Sequence, residues 1–286
     1  MSATLTRLDL ELTGKCPLEC PFHCYAASGP NGGHGTMALS DWTELLEEGA
    51  GLGVTRVQLI GGEPTTHPDF ERILLVALGY GPTVEVFSNL VAIRDSWWRL
   101  FCLPGVSLAT SYYSAQADKH DRITGRVGSH TRTRANIVKA LELGIKIRAA
   151  IVGVHDDQDV QGAIADLKSM GVVTIGTDWV RPYGRGVGDR PVNDVSKLCG
   201  RCGDGKAAVN PDGDVWPCVM SRWMTAGNVR ETPLGDIIGG PRWCELVATV
   251  PAPRHNRTCN PDCKPSSGDG SDCAPAETEY EPCDPD

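Results

Sequence analysis

Three cysteines stand within nine residues in Cys16-Pro-Leu-Glu-Cys20-Pro-Phe-His-Cys24-Tyr25. Three thiolates this close on one loop can hold three irons of a 4Fe–4S cluster and leave the fourth iron open to a small molecule. A structural zinc site asks for four ligands, commonly as two pairs, and no second pair lies nearby. No secretory signal precedes the triplet, which makes a disulfide the weaker reading of the same thiols. The expected chemistry is redox chemistry at an open iron.

About forty residues on, the short apolar run Val57-Gln58-Leu59-Ile60 is followed by Gly61-Gly62-Glu63-Pro64. Glycines after a strand let the backbone approach a ligand closely, and Glu63 can accept hydrogen bonds from an ammonium group. Together the two motifs resemble the radical SAM superfamily. The resemblance implies that the open iron chelates the amino and carboxylate groups of S-adenosylmethionine (SAM). Reductive cleavage would then give methionine and a 5′-deoxyadenosyl radical, with a flavodoxin or ferredoxin-type protein as electron donor. It further implies Tyr25 beside the adenine, Gly61, Gly62 and Glu63 at the ammonium, and Ser88-Asn89 at the ribose. Ser111, at the end of strand four, and Arg134, a guanidinium suited to the carboxylate, complete the expected SAM contacts. Taken alone, Ser88-Asn89 also reads as a turn and Arg134 as a solvated helix residue. One departure stands out: the spacing is C-x3-C-x3-C where the superfamily has C-x3-C-x2-C, which places an extra residue at Pro21 or Phe22.

Eight of the twelve cysteines lie in the last third of the chain. Ala207–Trp216 reads as a hairpin with Pro211-Asp212-Gly213 as its turn, which would bring Cys202 and Cys218 together at its base. This arrangement resembles the start of the SPASM and twitch extensions of radical SAM enzymes and implies at least one auxiliary 4Fe–4S cluster. Cys199, Cys202, Cys218, Cys259, Cys263, Cys273 and Cys283 compete for its ligand positions, and a four-thiolate zinc site is the alternative. Cys244 falls outside every pair. It reads either as a buried structural thiol or as a hydrogen-atom donor to a carbon radical. Cys102, between Phe101 and Leu103, reads as a buried apolar thiol.

The small barrel, the Cys-rich appendage and the isolated Cys244 resemble neomycin-type aminoglycoside epimerases. The resemblance implies that hydrogen leaves one face of a sugar carbon in a small cationic natural product and that Cys244 returns hydrogen to the other. The alternative is a maturase of ribosomally made peptides, installing a cross-link or a D-residue. The first strand starts soon after Met1, which is taken to leave no room for a leader-gripping domain. An iron–sulfur carrier or regulator would have no need of Gly61–Pro64 or of a barrel.

The elements that must position these groups alternate. Strands are expected at Leu8–Leu12, Val54–Ile60, Val84–Phe87, Val106–Thr110, Ile145–Val152 and Val172–Trp179. Helices are expected from Ser40 to Leu52, from about Asp69, from Thr133 to Leu143 and from Asp157 to Met170. Such alternation predicts an α/β fold with a parallel sheet, and the superfamily resemblance implies a partial (β/α)6 barrel with both motifs at the strand C-termini. Expected spans are 1–190 for the barrel, 191–265 for the auxiliary-cluster region and 266–286 for an acidic, Cys-containing tail. Gly29–Gly35 reads as a mobile loop beside the cluster, with His34 as an ordinary loop histidine. With 286 residues, 41% hydrophobic content, a mean hydropathy of −0.20 and a net charge of −9, the chain is expected to be a cytoplasmic protein. That charge disfavours nucleic acid and anionic membranes.

Overall fold

Leu8, Leu10 and Leu12 point to one side of the first strand and are fully buried against the helix that carries Trp42, Leu45 and Leu46. The intervening residues Asp9 and Glu11 therefore face the opposite side of the pleat. This computed structural model describes residues 5–188 and 193–251; Cys259, Cys263, Cys273 and Cys283 lie outside them.

Six strands run parallel in sequence order: β1 (Arg7–Glu11), β2 (Arg56–Ile60), β3 (Thr83–Phe87), β4 (Val106–Ser111), β5 (Ile147–Gly153) and β6 (Thr174–Trp179). The crossovers are helical: α1 (Leu39–Gly51), α2 (Phe70–Gly79), the short α3 (Trp98–Phe101), α4 (Ala117–Thr124) with α5 (Ser129–Glu142), and α6 (Val160–Met170). This is the expected α/β partial barrel. The inner face of the sheet is charged and internally paired: Arg7 with Asp9 at 2.7 Å, and Glu85 with Arg148 at 2.7 Å and with Gln58 at 2.5 Å. Buried charges must meet partners or pay desolvation.

Helix starts differ from the sequence expectation where side chains cap them. Asp159, not Asp157, accepts the Gly162 N–H at 2.7 Å and starts α6. Helix α5 begins at Ser129, because Asp121 of α4 accepts the N–H groups of Gly128 at 2.6 Å and His130 at 2.8 Å. These are the orphan donors of a helix start, supplied with an acceptor from another helix. Cys102 caps α3 and is exposed rather than buried.

The sheet does not stop at β6. Strand β7 (Lys206–Val209) pairs parallel with the other edge of β1, and β8 (Asp214–Trp216) and β9 (Gly227–Asn228) continue it antiparallel. The hairpin read from Pro211-Asp212-Gly213 is β7–β8, with Gly213 at φ +92°. Helices α7 (Leu234–Gly239) and α8 (Pro241–Thr249) follow. Glu48 of α1 caps α7, accepting from Leu234 and Gly235 N–H at 2.8 Å each, and so fastens the C-terminal region to the barrel.

Candidate active site

Cys16, Cys20 and Cys24 lie on the loop after β1, and all three thiols line one cleft with Gly61, Gly62, Asn89, Ser111, Tyr113 and His120. Its empty volume, mouth included, is about 1050 Å³. All three are free thiols. Burial, with the Glu63 carboxylate, pushes Cys16 up to about 12, and burial, with Cys24 and Cys16, pushes Cys20 higher. Thiols this reluctant to ionise alone are suited to a cationic iron partner. Cys16 Sγ accepts the Leu18 N–H at 3.4 Å and the Asn89 side-chain amide at 3.6 Å. Donors aimed at a ligand sulfur tune an iron–sulfur centre.

Gly61 and Gly62 line the cleft and also pack against the loop that carries the cysteines. The Gly62 N–H donates to the Thr13 carbonyl at 2.6 Å and the Glu63 N–H to the Lys15 carbonyl at 2.8 Å. A Cβ on Gly62 would stand 2.4 Å from the Lys15 carbonyl oxygen, and one on Gly61, at φ +132°, would stand 2.6 Å from that of Thr13. The end of β2 is thus stitched to the stem of the cysteine loop. Glu63 is buried and hydrogen-bonded within the fold: one oxygen accepts from Thr65 N–H and Oγ1, the other from the Asn89 N–H at 2.8 Å. It braces β2 to β3 and positions Asn89.

Gly29–Gly35 is likewise bound in rather than loose. Gly29 carbonyl accepts from Cys16 N–H at 3.0 Å and Gly33 carbonyl from Gly14 N–H at 2.9 Å, while His34 Nδ1 meets the Thr13 hydroxyl at 3.0 Å. A residue that sequence reasoning passed over, Arg185, completes the clamp. Its guanidinium donates to the carbonyls of Cys20 and Ser28 at 2.6 Å each, and its N–H to the Cys24 carbonyl at 2.9 Å. The only signal was the Arg181-Pro-Tyr-Gly-Arg185 break after β6.

Among the other expected SAM contacts, Asn89, Ser111 and Tyr25 line the cleft. Ser88 is fully buried, and its hydroxyl accepts the Leu90 N–H at 3.0 Å. The structure does not bring Arg134 to the cleft: it pairs with Asp166 of α6 at 3.0 Å, because α5 turns that face toward α6. The Tyr25 hydroxyl is buried without a hydrogen-bond partner among the described residues, near Glu11 and Arg222. Glu11 pairs with Arg222, which lies 4.6 Å over the Trp216 ring, so the loop after β8 reaches the lumen behind the cysteines.

Cys202 lies within hydrogen-bond reach of the thiols of both Cys199 and Cys218, so the expected convergence at the hairpin base is present and includes Cys199. Cys199 and Cys218 accept the N–H of Arg201 at 3.4 Å and of Met220 at 3.5 Å. Tyr183, Leu198, Trp216 and Met224 pack around them. Cys244 departs from the buried-thiol reading. It is exposed on α8 and does not line the cleft, because Trp243 and Leu246 take the buried face. A donor to a radical formed in the cleft would have to stand there.

Residues 10–167 match the profile of the radical SAM superfamily, and residues 199–264 match SPASM, an iron–sulfur cluster-binding domain. The chain is 31% identical over 149 residues to a PqqA peptide cyclase of Rhodopseudomonas palustris, covering 50% of this chain and 38% of that protein. It is 32% identical over 143 residues to the sporulation killing factor maturation protein SkfB of Bacillus subtilis, covering 50% of this chain and 34% of that one. The matched region thus covers about a third to a half of the length of the curated relatives it matches. In fold it resembles Streptococcus suis SuiB bound to precursor peptide SuiA, with a TM-score of 0.72 at 14% identity over 86% of this chain and 67% of that one. These matches do not show the aminoglycoside-epimerase resemblance expected from sequence. No helix of the described residues is long and apolar enough to cross a membrane.

Proposed function

The chain belongs to the radical SAM superfamily, and from that premise we propose that it matures a peptide by forming a cross-link within it. Its cofactors are a SAM-binding 4Fe–4S cluster, SAM and auxiliary iron–sulfur chemistry in the SPASM region. The observation that carries the peptide reading is the wall of the cleft. Its one carboxylate among the described residues, Asp178, is already paired with Arg181 at 3.2 Å. A polyamine sugar calls for uncompensated carboxylates. Here the wall offers apolar surface (Leu18, Ile60, Phe87, Val152, Trp179, Val180) with single hydrogen-bonding groups set into it, a lining suited to a peptide side chain and its amides. The names of the relatives support the same reading.

When bound, SAM on the open iron supplies a 5′-deoxyadenosyl radical that removes a hydrogen atom from substrate. The chain's own residues hold and shelter that site. Cys16, Cys20 and Cys24 are the cluster ligands, Gly61 and Gly62 fix their loop, Arg185 clamps its carbonyls, and Asn89 donates to the Cys16 sulfur. The apolar wall excludes water and protects a carbon radical from side reactions. Cys199, Cys202 and Cys218 would be ligands for an auxiliary site.

The test uses reconstituted full-length protein, SAM, dithionite and synthetic precursor peptides encoded by the reading frames beside its gene. The proposal expects a peptide two hydrogen atoms lighter, with 5′-deoxyadenosine formed alongside. A peptide of unchanged mass carrying solvent deuterium at one carbon would mean a D-residue instead. Conversion of an aminoglycoside and of no peptide would overturn the proposal.

A further inference from the structure

Three cleft-lining side chains carry a buried polar atom with no hydrogen-bond partner among the described residues: His23 at Nδ1, Tyr25 at its hydroxyl and His120 at Nε2. His120 of α4 is 1% exposed and lines the cleft, and its Nε2 has no hydrogen-bond partner among the described residues. Its other nitrogen is committed. Nδ1 stands 3.2 Å from Ser129 Oγ, and Ser129 donates its only hydrogen to Asp121 Oδ1 at 2.9 Å. The Ser129 oxygen must therefore accept from Nδ1, which fixes the hydrogen on Nδ1 and leaves Nε2 as a bare lone pair. The Thr124 hydroxyl stands 2.6 Å from the same oxygen and also reaches the His120 and Asp121 carbonyls at 3.1 and 3.2 Å.

From this geometry we infer that His120 is the proton acceptor of the cross-linking reaction, oriented by Ser129 and Asp121. The inference rests on the peptide reading and deepens it. Closing a bond between a C–H carbon and a second X–H position removes two hydrogens. The first leaves as an atom to the adenosyl carbon. The second leaves as a proton to His120 Nε2, and its electron goes to an iron–sulfur centre acting as oxidant. The new C–X bond replaces one C–H and one X–H bond, so atoms and electrons balance. Inversion of a carbon by return of a hydrogen atom releases no proton and needs no such group. A lone-pair nitrogen held in one tautomer by a hydroxyl and a carboxylate is the arrangement that supports a general base, since the carboxylate steadies the imidazolium that forms.

The surroundings agree with the role. Burial, with His130, lowers His120 to about 4, so the ring is neutral at neutral pH; the Asp121 carboxylate acts in the opposite direction and favours the imidazolium. The Asp121 carboxylate, against the burial that would raise it, is held below the usual range by His130 N–H, Gly128 N–H and the Ser129 hydroxyl. The titratable groups that face the ring are His130 from α5, Tyr112 and Tyr113 after β4, and Asp121 on α4 itself; His23 of the cysteine loop also acts on it electrostatically. Tyr112 and His130 are occupied with each other at 2.8 Å, and Tyr113 with His23 at 2.8 Å.

Nitrogen NMR of histidine-labelled apoprotein reads the tautomer without any substrate. His120 is expected with hydrogen on Nδ1 and an unprotonated Nε2 from pH 8 down to about 5, and Ser129→Ala is expected to give a mixture of tautomers. Hydrogen on Nε2 in the wild type, or no change in Ser129→Ala, overturns the inference. The second arm uses the precursor peptides above with holoenzyme. His120→Gln and Ser129→Ala are expected to keep forming 5′-deoxyadenosine while the lighter peptide falls about 10²-fold or more for His120→Gln, and free imidazole is expected to restore part of the product in His120→Ala. If the wild type cross-links a peptide and His120→Gln does so equally fast, the proton-acceptor role is wrong and the peptide reading stands. If the wild type modifies no peptide, both fall.

Discussion

Gly62→Ala separates two reasons for a glycine after β2. The added methyl would stand 2.4 Å from the Lys15 carbonyl oxygen, 2.8 Å from its carbon and 3.0 Å from the Gly14 carbonyl carbon. All three are backbone atoms, so no side chain can swing away, and the stem of the cysteine loop must move. That movement breaks the Gly62-to-Thr13 and Glu63-to-Lys15 hydrogen bonds of 2.6 and 2.8 Å, each worth about 1 kcal/mol. With the overpacking added, the expected loss is about 3 kcal/mol, or a fall of roughly 6–12 °C in Tm for a domain of this size. The assay is thermal and urea unfolding of the metal-free protein, in which neither cluster nor SAM contributes. If metal-free Gly62→Ala melts with the wild type and loses only SAM binding, the glycine serves ligand approach alone and the stem-packing argument is refuted.

Other perturbations follow from the same contacts. Arg185→Ala removes two hydrogen bonds to the cysteine loop and should lower iron and sulfide recovered at the first site after reconstitution, with Arg185→Lys failing to restore it because one ammonium does not span both carbonyls. Arg222→Ala leaves the buried Glu11 carboxylate without its counter-charge and should cost about 3–5 kcal/mol in urea unfolding at neutral pH. Burial already raises Glu11 against the pull of Arg222. Without that pull the native state holds its proton more tightly than the unfolded chain, so the deficit should grow as pH rises above the ordinary carboxylate range and shrink on acidification. Cys202→Ser should lose auxiliary iron while the first cluster keeps its electron paramagnetic resonance signal. Cys244→Ser should leave both SAM cleavage and peptide product unchanged; loss of product with SAM cleavage intact would restore the hydrogen-donor reading.

Much of the fold was legible because its signals are local. Leucines at every second position mark β1, Pro211-Asp212-Gly213 marks the β7–β8 turn, and the cysteine spacing marks the cluster loop. The orientation of Cys244 was also within reach, since Trp243, Leu246 and Val247 follow helical spacing and leave Cys244 off the buried stripe. What stayed hidden depends on distant parts of the chain. That β7 joins β1 is a contact between segments about two hundred residues apart, and no local pattern encodes it. Arg185 meets Cys20 across 165 positions. Glu63 lies in the expected motif, yet its direction is set by Thr65 and Asn89, which only the packed strand ends bring to it. Helix α4, short and mostly polar, carries no strong apolar period, and so His120 and its partners went unread.

The account stands on Cys16, Cys20 and Cys24 forming the place where SAM is split. Anaerobically reconstituted, dithionite-reduced protein should release 5′-deoxyadenosine and methionine in equal amounts, and Cys20→Ala should release none while retaining auxiliary iron. Equal release from Cys20→Ala, or none from the wild type carrying its full iron, would contradict it.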